Sequence, residues 1–300
     1  MDEVLPEKES QMILAEYIGY VLTKGLKLEK CLVLIGPGGN GKSVVFDIIS
    51  ALLGRDNICS FTLQNLCNES GYFRASMKDK LLNYCSELGS KDCSPDTVKQ
   101  LISNEPISAR LPYGEPYQIE DYCKFMFNTN SMPSDVEQTR AYYRRFIILN
   151  FGVEIPEEKQ DKNLAKKIIR EELSGIFNWA LEGLYRIRKN ERFTESPEAS
   201  RMLSEMKKET DSVAMFIDDE NYKPSVDTRE TFAGLYDCYK AHCKEGGYRI
   251  VSKRTFSKRL RNLGFKIKPG SQNITYVHCE RVIDLNDEST DEVVKQAFNL

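Results

Sequence analysis

The strongest constraint on this chain is one stretch, residues 31–50, CLVLIGPGGNGKSVVFDIIS. Cys31 to Ile35 is a short apolar run that stops at Gly36, and Gly36, Gly41, Lys42 and Ser43 satisfy G-x-x-x-x-G-K-[ST]. A branched run apolar on both faces reads as a parallel strand buried under helices, and Val44 to Leu53 continues with helical spacing. The glycines leave no side chains where backbone N–H groups must turn inward onto phosphate oxygens. Lys42 then reaches the β- and γ-phosphates, Ser43 offers a hydroxyl to magnesium, and the new helix points its positive end at the anion. Gly36, Pro37, Gly38, Gly39, Asn40, Gly41, Lys42, Ser43 and Val44 are therefore the candidate ATP-binding residues.

Three hundred residues suggest one large domain with a smaller one. The apolar runs are too short to cross a bilayer, and residues 1–20 carry acids that no secretory signal has, so the reading is cytosolic. Nine cysteines form no C-x-x-C pair, which argues against structural zinc and for reduced, mostly buried thiols. The net charge of -3 is unevenly placed. Residues 223–281 hold 13 Lys and Arg against 5 Asp and Glu, a surplus of +8 that leaves -11 elsewhere, so one end of the chain suits a polyanion.

In chain order, residues 7–24 predict a helix with Met12, Ile13, Tyr17, Ile18 and Val21 on one face. A second buried strand, Leu81 to Cys85, ends at Ser86-Glu87. An acid emerging at the carboxyl end of such a strand serves magnesium and water activation, and Glu87 is the only one there. Residues 95–103 look helical. Residues 105–119 read as two extended arms about Pro112-Tyr113-Gly114, either a plain hairpin or, through Arg110 and Tyr113, a grip on single-stranded nucleic acid. A third strand, Lys124 to Thr129, leads to Asn130, a polar amide placed to sense the γ-phosphate, with Asn128 its neighbouring alternative. Arg144-Arg145 precede a fourth strand, Phe146 to Phe151, and are either a solvated rim or the cation that one ring subunit lends to the next.

This order of segments, LIGPGGNGKS, LLNYCSEL, ISARLPYGEPYQI, FMFNTNSMP, YYRRFIILNF and EELSGIFNWALEGLYRI, resembles the superfamily 3 helicases over about residues 10–215. It is most similar to the primase-helicase group of phages, plasmids and poxviruses. The resemblance implies an AAA+-like α/β P-loop core with a parallel sheet, a hexameric ring, ATP hydrolysis between subunits and 3′ to 5′ movement along single-stranded DNA. It also implies that Lys42 and Ser43 belong to the Walker A loop and Glu87 to Walker B. Asn130 matches the sensor, Arg144 or Arg145 the finger, and Arg110 and Tyr113 the pore hairpin. Ser43 and Glu87 are the expected magnesium contacts; Ser86 replaces a second Walker B acid, which leaves the metal fewer ligands. A primase or polymerase domain is the expected partner, and forked duplex the expected substrate.

Beyond this, 161–190 predicts a long helix, 191–212 a further helix or connector, and NYKPS at 221–225 a break. Residues 228–245 predict an amphipathic helix; Ser252 caps KRTFSKRLRNLG, with Phe256, Leu260 and Leu263 inward and Lys253, Arg254, Lys258, Arg259 and Arg261 outward. Strands at 265–268 and 274–278 complete a winged-helix outline, with DNA contact mainly through phosphates. The expected domains are 1–212 for the ATPase, 213–226 as linker, 227–284 as winged helix and 285–300 as an acidic tail. Two rivals remain: a loader or packaging ATPase acting on duplex DNA, and an origin-binding or regulatory protein whose ATPase core is an oligomerisation switch.

Overall fold

The computed structural model describes residues 1–89, 93–130, 140–209, 211–248, 250–270 and 274–282, and divides into two units, Met1–Thr210 and Asp211–Leu300. In the first unit α1 (Lys8–Val21) precedes β1 (Cys31–Ile35) and α2 (Lys42–Leu53), with β2 (Ile58–Cys59), α3 (Leu63–Cys67), α4 (Tyr72–Ala75), β3 (Leu82–Cys85) and α5 (Pro95–Ile102) following. Next come β4 (Ile107–Ala109), β5 (Tyr117–Ile119), β6 (Lys124–Thr129), α6 (Arg140–Tyr143), β7 (Phe146–Asn150), the long α7 (Leu164–Asn190) and α8 (Pro197–Glu209). The strands β2-β3-β6-β1-β7 form one parallel sheet. Parallel neighbours need crossover segments, and those segments carry the helices that cover both faces.

Alternation along the strands sorts the core into two layers. Cys31, Val33, Phe125, Phe127 and Ile148 face the cluster that α3 and α5 complete, whereas Leu32, Leu34, Met126, Ile147 and Leu149 face α1, α2 and α7. Each such side chain, fully buried, contributes about 1.5–3 kcal/mol. Helix α1 is more enclosed than its single predicted face: Leu14, Ala15, Glu16, Gly19 and Tyr20 are also buried. It lies against α7 at backbone contact, because a Cβ on Gly183 would come within 2.5 Å of the Ala15 carbonyl carbon. Glu16 has no exposure but is satisfied, accepting from Arg186 Nε at 3.0 Å, Thr194 N at 2.8 Å and Thr194 Oγ1 at 2.6 Å. Glu16→Ala is expected to cost about 3 kcal/mol, since it strands a partly buried guanidinium and an amide. A denaturant midpoint unchanged from wild type would contradict that role.

The second unit comprises α9 (Ser212–Asp219), β8 (Tyr222–Pro224), β9 (Glu230–Thr231), α10 (Phe232–Glu245), α11 (Lys253–Asn262), β10 (Lys266–Pro269) and β11 (Thr275–Arg281). Strand β11 pairs antiparallel with β10 on one side and with β8 and β9 on the other. The segment expected as a linker, 213–226, is instead part of this unit's core: Val213, Phe216, Ile217 and Tyr222 are buried with Leu235, Tyr239, Phe256 and Val277. The physical reason is local. Asp211 caps α9 by accepting from Val213 N and Ala214 N, and Val213, Phe216 and Ile217 make one apolar face. Leu263, expected inward, is 38 % exposed just past the end of α11. The expected acidic tail, 285–300, lies outside the described residues.

Candidate functional site

The loop after β1 is built by its neighbours in the sheet. Phe151 N donates to Ile35 O at 2.7 Å and Gly36 N to Thr129 O at 3.2 Å, so β6 and β7 hold both sides of the exit. A Cβ on Gly36 would stand 2.2 Å from Phe151 O, which bars any other residue. Asn40 is buried, and its Nδ2 donates to that same carbonyl at 2.7 Å; it braces the loop from within. Gly41, at φ 87°, is the N-cap of α2, a conformation that β-carbons resist. Pro37, Gly38, Gly39 and Ser43 are exposed, Val44 half-buried.

Lys42 is buried and donates to Gly36 O at 2.6 Å, Pro37 O at 2.8 Å and Asn40 Oδ1 at 3.1 Å. Burial without a carboxylate lowers its pKa, so an anion in the loop restores what desolvation removes. Three contacts escaped the sequence reading: Ile155 N donates to Gly39 O at 3.0 Å, Gln160 stands beside Gly39, and Val4 packs on Gly41. These reach the loop from far along the chain, and only the adjacency of β7 to β1 could have announced the first two. The residues fit a nucleotide triphosphate: a glycine cradle, a buried ammonium and an exposed hydroxyl at a helix N-terminus.

Register places the next two candidates at the same edge. Ile35 is level with Thr129, and Cys85 with Phe127, so Glu87 and Asn130 leave the sheet alongside Gly36. Strand β6 lies between β1 and β3, which sets Asn130 between the loop and the acid. Both are exposed. Asn128, by contrast, is buried within β6 and accepts from Tyr84 Oη at 3.0 Å. Among the described residues no group of three or more His, Cys, Asp or Glu could hold a metal, so a magnesium ion here would rest on Ser43, Glu87, phosphate oxygens and water.

The two arginines separate. Arg145 is buried: its Nε and Nη2 donate to Ser103 Oγ at 3.0 and 2.9 Å, and Nη1 donates to Ala141 O. Arg144 has a side chain 58 % exposed, paired with Glu29 at 3.0 Å. Both stand at the amino end of β7, where Cys31 is level with Phe146. A five-residue strand spans about 17 Å, so neither reaches the chain's own loop. The hairpin stands on a buried root, Ile107, Ala109 and Ile119, held by Arg74, which donates to Ser108 O, Leu66 O and Asn68 O. At its tip Tyr113 is fully exposed at φ 61°, and Arg110 Nε donates to Gly114 O at 2.7 Å.

On α11, Lys253, Arg254, Lys258 and Arg261 are exposed as expected. Arg259 is not free to meet a ligand: it pairs with Asp211 at 2.9 Å with 14 % of its side chain exposed, tying α11 to the start of α9. That partner was hidden because Asp211 was expected to belong to the ATPase domain, 1–212, whereas it opens the second unit.

Two family descriptions match separate parts of the chain: a family of unknown function, DUF5906, over residues 34–145, and the Poxvirus D5 protein-like family over 208–295. The first range contains the loop, Glu87, the hairpin, Asn130 and both arginines; the second covers the described part of the smaller unit. Among solved structures, the A form apo structure of the NrS-1 C-terminal region (305–718) is similar with a TM-score of 0.54 at 13 % identity, covering 93 % of this chain and 73 % of that one. Two further apo structures of the same region give a TM-score of 0.51 at 12 % and 14 % identity, covering 93 % and 92 % of this chain and 72 % and 73 % of theirs. At such identity the likeness shows the fold. Together these findings support the resemblance to the superfamily 3 helicase group, and no described helix is long and apolar enough to cross a membrane.

Proposed function

We propose that this chain is the ATPase part of a primase-helicase-related replication protein, a magnesium-dependent, ring-forming DNA helicase. The observation that carries the proposal is the division of the chemistry between two edges of one sheet: loop, acid and amide at the carboxyl edge, an exposed cation at the amino edge. A cation that cannot reach its own loop acts only on a neighbour's. Lys42 exchanges its carbonyl acceptors for phosphate oxygens, Ser43 contacts the metal, Glu87 orients and deprotonates the attacking water, and Asn130 reads the γ-phosphate. Arg144 is the finger in this reading, and Arg145 the brace that positions its strand. Magnesium, when bound, draws charge from the transferring phosphoryl.

The reading extends to a hexamer that moves 3′ to 5′ on single-stranded DNA, gripped at Arg110 and Tyr113, with the smaller unit as a winged helix meeting phosphates through Lys253, Arg254, Lys258 and Arg261. Tyr113→Ala is expected to weaken binding of a dT oligonucleotide about tenfold, measured by anisotropy, as a lost stacking face should. Unchanged affinity would return the hairpin to a plain structural turn. The function itself is tested with forked duplexes carrying one tail. ATP-dependent strand separation confined to the 3′-tailed fork is expected; separation only with a 5′ tail, or hydrolysis stimulated by duplex alone, contradicts it.

A further inference from the structure

The sheet of the second unit has an outer face that the helices leave uncovered. Along β11, Val277 and Cys279 point into the core, while Tyr276 and His278 are part-exposed and Glu280 is exposed. Register carries the same face across its neighbours: Lys266 is level with His278, Lys268 with Tyr276, Lys223 with Glu280 and Thr231 with Tyr276. Arg229 joins it, its guanidinium lying over the Tyr276 ring at 4.4 Å from the centroid. Four cations, Lys223, Arg229, Lys266 and Lys268, thus surround two rings with Glu280 the one acid among these positions, and none of the four has an ion-pair partner among the described residues. Nothing in the unit's packing requires this composition, since the core is complete on the other face.

We infer that this face binds an unpaired nucleic-acid strand, separately from the α11 cations. The inference rests on the reading of the chain as a DNA-dependent ATPase and adds to it a site and a strand preference. Tyr276 and His278 are two residues apart on one strand, about 6.8 Å, twice the 3.4 Å rise of stacked bases. That spacing fits bases drawn apart along an extended strand, one stacked at the His278 ring and the next on the guanidinium that lies over Tyr276. The guanidinium over Tyr276 offers a flat cationic surface of the kind on which bases also lie. Bases within a duplex have no free faces to offer, so the rings select single strands, while Lys223, Lys266 and Lys268 take up phosphates.

The test uses the full chain carrying Arg110→Ala and Tyr113→Ala, so that the first unit's hairpin does not mask the effect. Binding of a fluorescent dT oligonucleotide and of a hairpin duplex is measured against salt, before and after adding Tyr276→Leu with His278→Leu or, separately, Lys266→Gln with Lys268→Gln. The ring pair is expected to lower single-strand affinity at least fivefold and to leave duplex affinity within twofold. The lysine pair is expected to lower the single-strand salt slope by about 1.4. The lysines are exposed, so their replacement keeps the test open if the ring variant folds poorly. Single-strand binding unchanged by both pairs, or lost equally with duplex binding, overturns the inference. No binding to either probe by the chain with its hairpin intact contradicts the proposed function instead.

Discussion

Lys42→Ala is expected to reduce ATP turnover by about 100- to 1,000-fold, the scale of removing one preorganised donor from a developing charge. The structure says the fold survives it. The ammonium's three acceptors, Gly36 O, Pro37 O and Asn40 Oδ1, lie within six residues of it, so their loss rearranges the loop alone. A stability change of about 1 kcal/mol is the expected scale, and a melting curve close to wild type makes the loss of turnover diagnostic. Hydrolysis within tenfold of wild type by a folded Lys42→Ala protein contradicts the assignment of the loop.

Arg144→Ala is expected to lower turnover about 1,000-fold while leaving nucleotide binding intact, the effect of withdrawing a finger supplied in trans. The ion pair it breaks, with Glu29, is exposed and worth at most about 1 kcal/mol. Mixing is the sharper readout. In a ring containing Arg144→Ala and Glu87→Gln subunits, some interfaces join an intact acid to an intact arginine, and activity returns; mixtures no better than either parent contradict catalysis across an interface. Arg145→Ala gives no such information, because it removes three hydrogen bonds from a buried guanidinium and its inactivity has a structural cause.

The comparison of these two arginines shows where sequence reasoning stops. Adjacent and chemically identical, both lie within ion-pair distance of Glu29, at 3.0 and 3.7 Å, and they part where Arg145 is buried on Ser103, 42 residues away, and on Ala141 O while Arg144 stays exposed. Pairings of that kind depend on tertiary placement, which a linear pattern does not contain. The same holds for β6 lying between β1 and β3, and for Phe151, Ile155 and Gln160 closing over the loop. The phosphate loop, its strand and its helix were legible because their determinants are consecutive: an apolar run, glycines where side chains cannot fit, and helical spacing from Val44. So were the hairpin and the cap of α11, where Ser252 accepts from Thr255 N at 3.3 Å. Helix α9 carried a readable signal, an acid before Val213, Phe216 and Ile217, but eight residues beside a proline-containing stretch resemble a break. Arg259 then looked solvated because its partner, Asp211, belonged to the element that was missed.

The cations on the sheet's outer face escaped for a related reason. Lys223, Arg229, Lys266 and Lys268 are spread over 46 positions; the lysines converge through the register of β8 and β10 with β11, and Arg229 through its place over the Tyr276 ring. Charge counting found the surplus without finding the surface.

The central claim is that hydrolysis occurs between subunits and is coupled to a threaded strand. It is tested most directly by the ATP hydrolysis rate per subunit, measured across a range of protein concentrations with and without a single-stranded oligonucleotide. A rate that rises with concentration, and rises again with the oligonucleotide, is the expected result. A measurable rate that is independent of concentration and indifferent to DNA contradicts shared sites, because it places a complete catalytic apparatus within one chain.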